Sequence, residues 1–157
     1  MIYEQALEIA EKTKELLAPH CEWIEIAGDI RSKRPEINEI EIVAIPKQYD
    51  IGIIKVLDQW ENFEGELLDD RIQRVLPEGI ELELYFADRE NWGLSYALRT
   101  GNGEFIYRAI AAGWSIYGYE LKDNHMYKDG KKIALYEEED VFRIIQKPFV
   151  EPELRYL

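Results

Sequence analysis

Only one cysteine occurs in the 157 residues, so no internal disulfide can staple the chain, and a reducing, cytoplasmic setting is expected. Cys21 itself is expected as a small, partly buried residue. Histidine is almost as scarce. His20 and His125 stand far apart, without metal-ligand spacing, and both are read as surface or loop residues. No apolar run reaches the ~18 residues of a spanning helix, which excludes a helical membrane segment. The acidic, amphipathic start MIYEQALEIAEK lacks the pattern of a secretory signal. Positive charge is short too, with 19 Lys and Arg against 32 Asp and Glu, a net of −13. Such a surface repels a nucleic-acid backbone at long range, so a basic DNA-binding module is not expected and DNA affinity should be weak. Repeats and low-complexity segments are missing as well. The hydrophobic content is 46%, enough for a packed core and against wholesale disorder. One domain, built as two lobes, suits this length.

Periodicity orders the chain. Ala6, Ile9, Ala10, Thr13, Leu16 and Leu17 recur at helical spacing, predicting a helix over Tyr3 to Leu17 that ends at Ala18-Pro19. Cys21 to Ala27 reads as a strand, Gly28 to Pro35 as a turn, and Ile37 to Ile45 as a second strand. A helix is expected over Ile51 to Trp60, a loop over Asn62 to Leu68 and a short strand over Arg71 to Leu76. After the Pro77-Glu78-Gly79 turn, Ile80, Leu82, Leu84 and Phe86 alternate with Glu81, Glu83 and Tyr85. The result is an α/β arrangement, a small mixed sheet with packed helices.

Composition shifts after Ala87, which divides the chain into residues 1–87 and 88–157. Helices are expected over Asn91 to Leu98 and over Glu104 to Ala112, the latter ended by Gly113 as a C-cap. Ser115 to Leu121 and Lys131 to Leu135 read as a two-stranded element around the Asp129-Gly130 turn. Glu137, Glu138, Glu139 and Asp140 suit the start of a short helix running to Ile145 better than a metal cluster. Trp23, Trp60, Trp92 and Trp114 are expected in the core or between lobes.

The most informative stretch is Ile26 to Pro46, IAGDIRSKRPEINEIEIVAIP. A strand ends at a Gly, a basic turn follows, and the next strand carries Glu39 and Glu41. At that spacing both carboxylates leave one face of the strand. Paired carboxylates beyond a Gly turn offer hard oxygen donors for a divalent cation near a phosphate. Taken alone, Glu39 and Glu41 read as ordinary solvent-facing strand residues, and Arg31, Lys33 and Arg34 as a solvated basic turn, the commoner fate of such a cluster.

Gly28 through Pro46 resembles the first signature of the nucleotidyltransferase superfamily in the form used by family X DNA polymerases, the DNA polymerase beta group. Asn91-Trp92-Gly93, then Arg99-Thr100-Gly101-Asn102 and Phe105, resembles that group's aromatic-Gly segment and Thr-Gly-Ser turn. The acidic helix from Glu137 and the ending Pro148 to Arg155 resemble its carboxy-terminal part, and the short, often phage-borne form is the most similar. The resemblance implies a polymerase-beta-like palm over 1–87 and a nucleotide-selecting lobe over 88–157. It implies nucleotidyl transfer from an NTP or dNTP to a hydroxyl, on nucleic acid or another acceptor, with Mg2+ or Mn2+ as cofactor. Glu39, Glu41 and Glu83 become the implied catalytic metal ligands, Glu81 being the alternative to Glu83. Gly28, Asp29, Arg31, Arg34, Trp92, Arg99, Thr100, Gly101 and Asn102 become the implied nucleotide-binding positions.

The chain departs from the family pattern at several of these. All three carboxylates are Glu, which reaches about 1.5 Å further than Asp. Asp29 replaces the phosphate-facing Ser and repels phosphate. Ser32 replaces the second Arg, Asn38 the Gly before the first carboxylate, Arg99 an aromatic, and Asn102 a Ser. Two readings therefore stay open. One is a divergent metal-dependent nucleotidyltransferase. The other is a degenerate form kept as a binding or assembly module with a protein partner.

Overall fold

The computed structural model describes residues 1–62 and 71–157, and they divide into two compact units, Met1–Ala87 and Asp88–Leu157. The loop expected over 62–68 lies, from residue 63 on, outside the described residues.

In the first unit the apolar stripe of Tyr3–Leu17 (α1) forms as its period predicts, burying Ala6, Ile9, Ala10, Thr13 and Leu17. Cys21–Ile26 (β1), Glu39–Pro46 (β2), Glu61–Asn62 (β3), Arg71–Val75 (β4) and Glu81–Phe86 (β5) make one sheet in the order β1-β2-β5-β4-β3. Among the described residues only β2 and β5 run parallel; the other pairings are antiparallel. Side-chain alternation gives this sheet two characters. Ile24 of β1, Ile40, Ile42 and Ala44 of β2, and Leu82 and Leu84 of β5 join the core with α1 and with Ile53 and Leu57 of Gly52–Leu57 (α3). The alternate positions are Glu39, Glu41 and Val43 on β2, level with Glu81, Glu83 and Tyr85 on β5. Helices cover the aliphatic face because water is excluded most effectively there.

The expected turn over Gly28 to Pro35 begins with a single helical turn, Gly28–Arg31 (α2), which tucks Ile30 into the core. That one buried isoleucine favours a coiled start over an open loop. Trp23 departs from its expected place. It is 54% exposed, because it lies on β1 level with Ile45 and not with the core-facing Ala44. Cys21 is buried, its Sγ donating to the Leu17 carbonyl, and burial pushes the thiol up to about 11. His20 is half-buried rather than free on the surface. Its Nδ1 lies 3.0 Å from Asp50 Oδ1, which also accepts the Gly52 N–H at the start of α3.

The second unit is helical with one small sheet. Trp92–Leu98 (α4) and Glu138–Ile144 (α7) pack together, and Gly93 lets them touch: a Cβ there would come within 2.2 Å of the Glu137 backbone. Gly103–Phe105 (α5) runs through a π-helical segment, Ile106–Ala111, into Ala112–Ile116 (α6). Gly113 is thus inside a helix, not its C-cap. Its lack of a side chain lets Ile145 approach to 3.0 Å of where a Cβ would stand, and Gly118, with φ +81°, takes the left-handed position after α6. Tyr119–Lys122 (β6), His125–Lys128 (β7) and Lys131–Ile133 (β8) form a three-stranded meander in place of the expected two strands. The middle strand exists because Asp123 and Asn124 both take positive φ, as Asp129 and Gly130 do, so each pair closes a tight hairpin. His125 Nε2 sits 2.7 Å from Asp88 Oδ2, tying β7 to the start of this unit.

The deepest charge in this unit is Arg155, with no exposed surface. Its guanidinium donates to both oxygens of buried Glu138, at 2.6 and 3.3 Å, while its Nε donates to the Val150 carbonyl. Phe142 and Phe149 lie about its planar head at 5.2 and 5.1 Å. Removing one partner would strand the other charge in the interior. Arg155→Met is therefore expected to destabilise this unit by about 3–5 kcal/mol, and the double variant with Glu138→Leu to recover much of that loss. Urea denaturation followed by amide hydrogen exchange in α4 and α7 measures both.

Candidate functional site

The parallel register places Glu39 opposite Glu81 and Glu41 opposite Glu83. Four carboxylates thus occupy neighbouring, half-buried places on one face of the first unit's sheet. Asp29 joins them electrostatically from α2. Burial pushes the Glu39 carboxyl above its ordinary range first of all, and the negative charges of Glu83, Asp29 and Glu81 push it further. Arg71 draws it back only in part.

The Gly28 turn is fitted directly to this face. The Ala27 N–H donates to the Glu41 carbonyl at 2.8 Å, which ties the turn to β2. Gly28 has φ +63°, and a Cβ on it would lie 2.0 Å from Glu41 Oε2. Two independent demands, left-handed backbone and the space taken by the Glu41 carboxylate, therefore call for glycine. Ser32, which stands where a second Arg was expected, is buried and offers its hydroxyl to no described partner. Arg31 and Lys33 line a cavity of about 240 Å3 with Tyr3, Lys14, Glu25 and Ile30. Arg34 is half-buried, its N–H donating to the Asp29 carbonyl.

Glu83 is heavily engaged. Tyr85 Oη donates to Glu83 Oε2 at 2.6 Å, Gln73 Nε2 donates to Oε1 at 3.2 Å, and Arg71 Nη1 lies 3.5 Å from Oε1. Arg71 Nη1 also donates to Tyr85 Oη at 3.3 Å. Arg71 and Gln73 reach it because β4 pairs antiparallel with β5, setting Gln73 level with Glu83 and Arg71 level with Tyr85. Sequence reasoning missed this network. The alternation of Arg71, Gln73 and Val75 along β4 was visible, but their register against β5 was not.

The implied cofactor can be tested against these donors. Glu39 and Glu41 suit a hard divalent cation: both are oxygen donors on one face, and burial together with like-charge repulsion at Glu39 is relieved by Arg71 only in part. Glu83 does not fit as a third ligand in this arrangement, since both its oxygens already accept hydrogen bonds. Among the described residues no group of three or more His, Cys, Asp and Glu side chains converges as a metal cage.

The remaining implied positions lie in the second unit. Trp92 is buried and stacked on Tyr96 at 5.3 Å between ring centroids. Arg99, just past the end of α4, is half-buried. Thr100 is fully buried, its Oγ1 donating to the Tyr96 carbonyl at 3.0 Å. Gly101 has φ +118° and meets Arg155, whose Cβ and carbonyl oxygen would both lie 2.9 Å from a Cβ there. Asn102 Oδ1 caps α5 by accepting the Phe105 N–H, and its Nδ2 donates to the Leu157 carbonyl. Residues 155–157 thus brace the Thr100-Gly101-Asn102 turn, a role no local sequence signal announced.

With that geometry in place, comparison defines the class. Residues 96–156 match the family model described as the DNA polymerase beta thumb. No curated protein matches. Among solved structures, the crystal structure of the ternary gap complex of Leishmania infantum polymerase beta is similar over 99% of this chain and 70% of its own. The TM-score is 0.79 and the identity 13%. The chain has a polymerase-beta-like, family X fold, a mixed sheet with packed helices.

The burial of Glu39 and the charge crowding around it have a pH consequence. A carboxyl whose folded pKa is raised binds its proton more tightly in the folded state. It therefore costs stability as pH rises from the unfolded carboxylate value through the raised one, and the cost is fully present above both. Glu39→Gln should raise the melting temperature at neutral pH, with the gain vanishing as the pH falls below the ordinary carboxylate range. Thermal melts of both proteins across that range, without divalent ions, test the sign. Gly28→Ala should do the reverse. It should cost about 1–2 kcal/mol from backbone strain alone and lower the melting temperature at every pH.

Proposed function

We propose that this protein is a divergent nucleotidyltransferase. Residues 1–87 serve as its palm and residues 88–157 as its nucleotide-selecting lobe. The observation that carries the reading is the level placement of Glu39 and Glu41 with Glu81 and Glu83 on one sheet face, directly against the Gly28 turn. Glu39 and Glu41 would hold Mg2+ or Mn2+. A divalent ion bound there supplies Lewis-acid stabilisation of phosphoryl oxygens. Arg31 and Arg34, close in sequence to the Gly28 turn, provide guanidinium donors for a triphosphate. In the second unit, Trp92 and the turn from Arg99 to Asn102 serve the nucleotide from a rigid frame. The substrate is an NTP or dNTP, and the acceptor is a hydroxyl on nucleic acid or another molecule. A nucleic-acid acceptor would be held weakly against the net charge of −13. With Cys21 buried and reduced, and no described helix long and apolar enough to cross a membrane, a cytoplasmic location suits the chemistry.

A second reading is favoured by the engagement of Glu83 and by Asp29. The carboxylate of Asp29 adds repulsion beside Glu39, where the pattern expects a phosphate-binding hydroxyl. On this reading the fold is a degenerate transferase retained for binding or assembly with a protein partner. Ser32 is buried, so placing Arg there would disrupt the turn, and Asp29→Ser alone is the informative reversion.

Incorporation of each labelled NTP and dNTP with Mn2+, together with calorimetric titration of the ion, separates the readings. The transferase reading expects metal-dependent incorporation that falls roughly a hundredfold or more in the Glu39→Gln, Glu41→Gln double variant. It also expects Asp29→Ser to raise the rate. No incorporation and no ion binding in either the native protein or Asp29→Ser would leave the module reading standing.

A further inference from the structure

Buried Arg155 anchors the stretch that follows it, and that stretch runs over the Thr100-Gly101-Asn102 turn. The Arg155 carbonyl accepts the Asn102 N–H at 3.0 Å. Further on, the Asn102 side chain meets both polar groups of the Leu157 backbone. Its Nδ2 donates to the Leu157 carbonyl at 3.1 Å, and its Oδ1 accepts the Leu157 N–H at 3.3 Å. An amide oxygen has two lone pairs. One takes the Phe105 N–H and caps α5, so the other is the one that Leu157 fills. These Leu157 contacts differ in kind from the Arg155 anchor. Both lie at exposed positions, and Leu157 itself is 67% exposed. Water competes for such bonds, so each adds little to stability. Arg155, by contrast, is fully enclosed and paired with Glu138. The hold of Leu157 on Asn102 can therefore be lost while Arg155 and the α5 cap stay in place.

We propose that residues 156–157 form a displaceable strap over Asn102, which occupies a donor–acceptor pair that a nucleotide would otherwise use. The proposal rests on the reading that the turn from Arg99 to Asn102 serves a nucleotide. It adds the chemistry that Asn102 selects. A carboxamide with its Nδ2 donor and one lone pair to offer asks for an acceptor set beside a donor. The hydroxyl of a sugar and the edge of a nucleobase present that combination, whereas a triphosphate presents acceptors. The backbone of a single residue presents it too, which is why Leu157 fits. The strap thus competes with the nucleoside part of the ligand and not with its phosphates. Because it is held on Asn102 by two exposed hydrogen bonds, the competition lowers the apparent affinity severalfold and does not abolish binding.

The experiment uses the full chain with Mn2+ present. Calorimetry follows dATP, and separately inorganic triphosphate, titrated into the native protein, Leu157→Pro and Leu157→Ala. Proline removes the N–H that Asn102 Oδ1 accepts, while alanine keeps both backbone groups. Leu157→Pro is expected to bind dATP about fivefold more tightly than the native protein, with its triphosphate affinity unchanged. Leu157→Ala is expected to match the native protein for both ligands. Thermal melts of Leu157→Pro should stay close to native, and a large fall would mark the contact as a structural brace and overturn the proposal. Unchanged or weaker dATP binding in Leu157→Pro overturns the strap while native dATP binding keeps the nucleotide reading. An equal gain in Leu157→Ala, or an equal gain for triphosphate, overturns it as well. Binding of dATP that appears only in Leu157→Pro supports the strap. Absence of dATP binding in all three proteins overturns both the strap and the nucleotide reading.

Discussion

Everything about the candidate site depends on the parallel pairing of β2 with β5. Because side chains alternate along a strand, the pairing sorts Ile40, Ile42, Leu82 and Leu84 to one face and Glu39, Glu41, Glu81 and Glu83 to the other in a single stroke. A slip of one residue would bury the carboxylates against α1 and expose the isoleucines and leucines, so the core fixes the register of the acidic residues as firmly as its own. The cost of collecting like charges is borne by the burial of the aliphatic face. That is why the sheet does not give way although burial and the crowding of carboxylates raise Glu39.

The same two faces explain what could be read from the sequence. The helical period of α1 and the strict alternation from Ile80 to Phe86 were legible because each depends on the chain's own neighbours and on burial of one side. The pairing of Glu39 with Glu41 followed from strand geometry alone. Contacts that join distant segments were not legible. Arg71 reaches Glu83 only through the β4–β5 register, and Arg155 meets Glu138 across 17 positions. Trp23 was expected inside because tryptophan is apolar, yet alternation along β1 put it on the face away from α1. Strand β7 escaped notice because Asp123-Asn124 closes a hairpin with two left-handed residues and no glycine. Gly113 carried the opposite error. Its missing side chain serves close packing on Ile145 inside a helix, and a lone glycine in a sequence does not say which use it has.

Several glycines singled out by the sequence do have structural reasons of their own. Gly28 is required by φ and by Glu41, Gly93 by the Glu137 backbone, and Gly101 by φ and by Arg155. A resemblance carried by such residues is in large part a resemblance of folds, since each glycine is needed whether or not a nucleotide ever arrives. The residues that distinguish chemistry from architecture are the polar ones. Thr100 and Asn102 are fully used by the protein, one in back-bonding to Tyr96 and the other in capping α5 and holding Leu157. Glu39 and Glu41 are less fully explained by architecture. No apolar packing demands acidic groups at those positions, and the repulsion they create is unfavourable by itself.

Charge is distributed in the same sense. Residues 1–87 hold 9 basic and 20 acidic side chains, a net of −11, while residues 88–157 hold 10 and 12, a net of −2. The negative excess is therefore concentrated in the segment that contains the carboxylate face. A field of that sign lowers the local concentration of polyanions and raises that of small cations, with a range of about 8–10 Å near physiological salt. A long DNA backbone would feel this as repulsion along its whole approach. A nucleotide already neutralised by a divalent ion would feel much less of it. A field of this sign thus disfavours a naked strand more than an ion-complexed small anion. Arg71 is the positive charge already built in against Glu83 on that face.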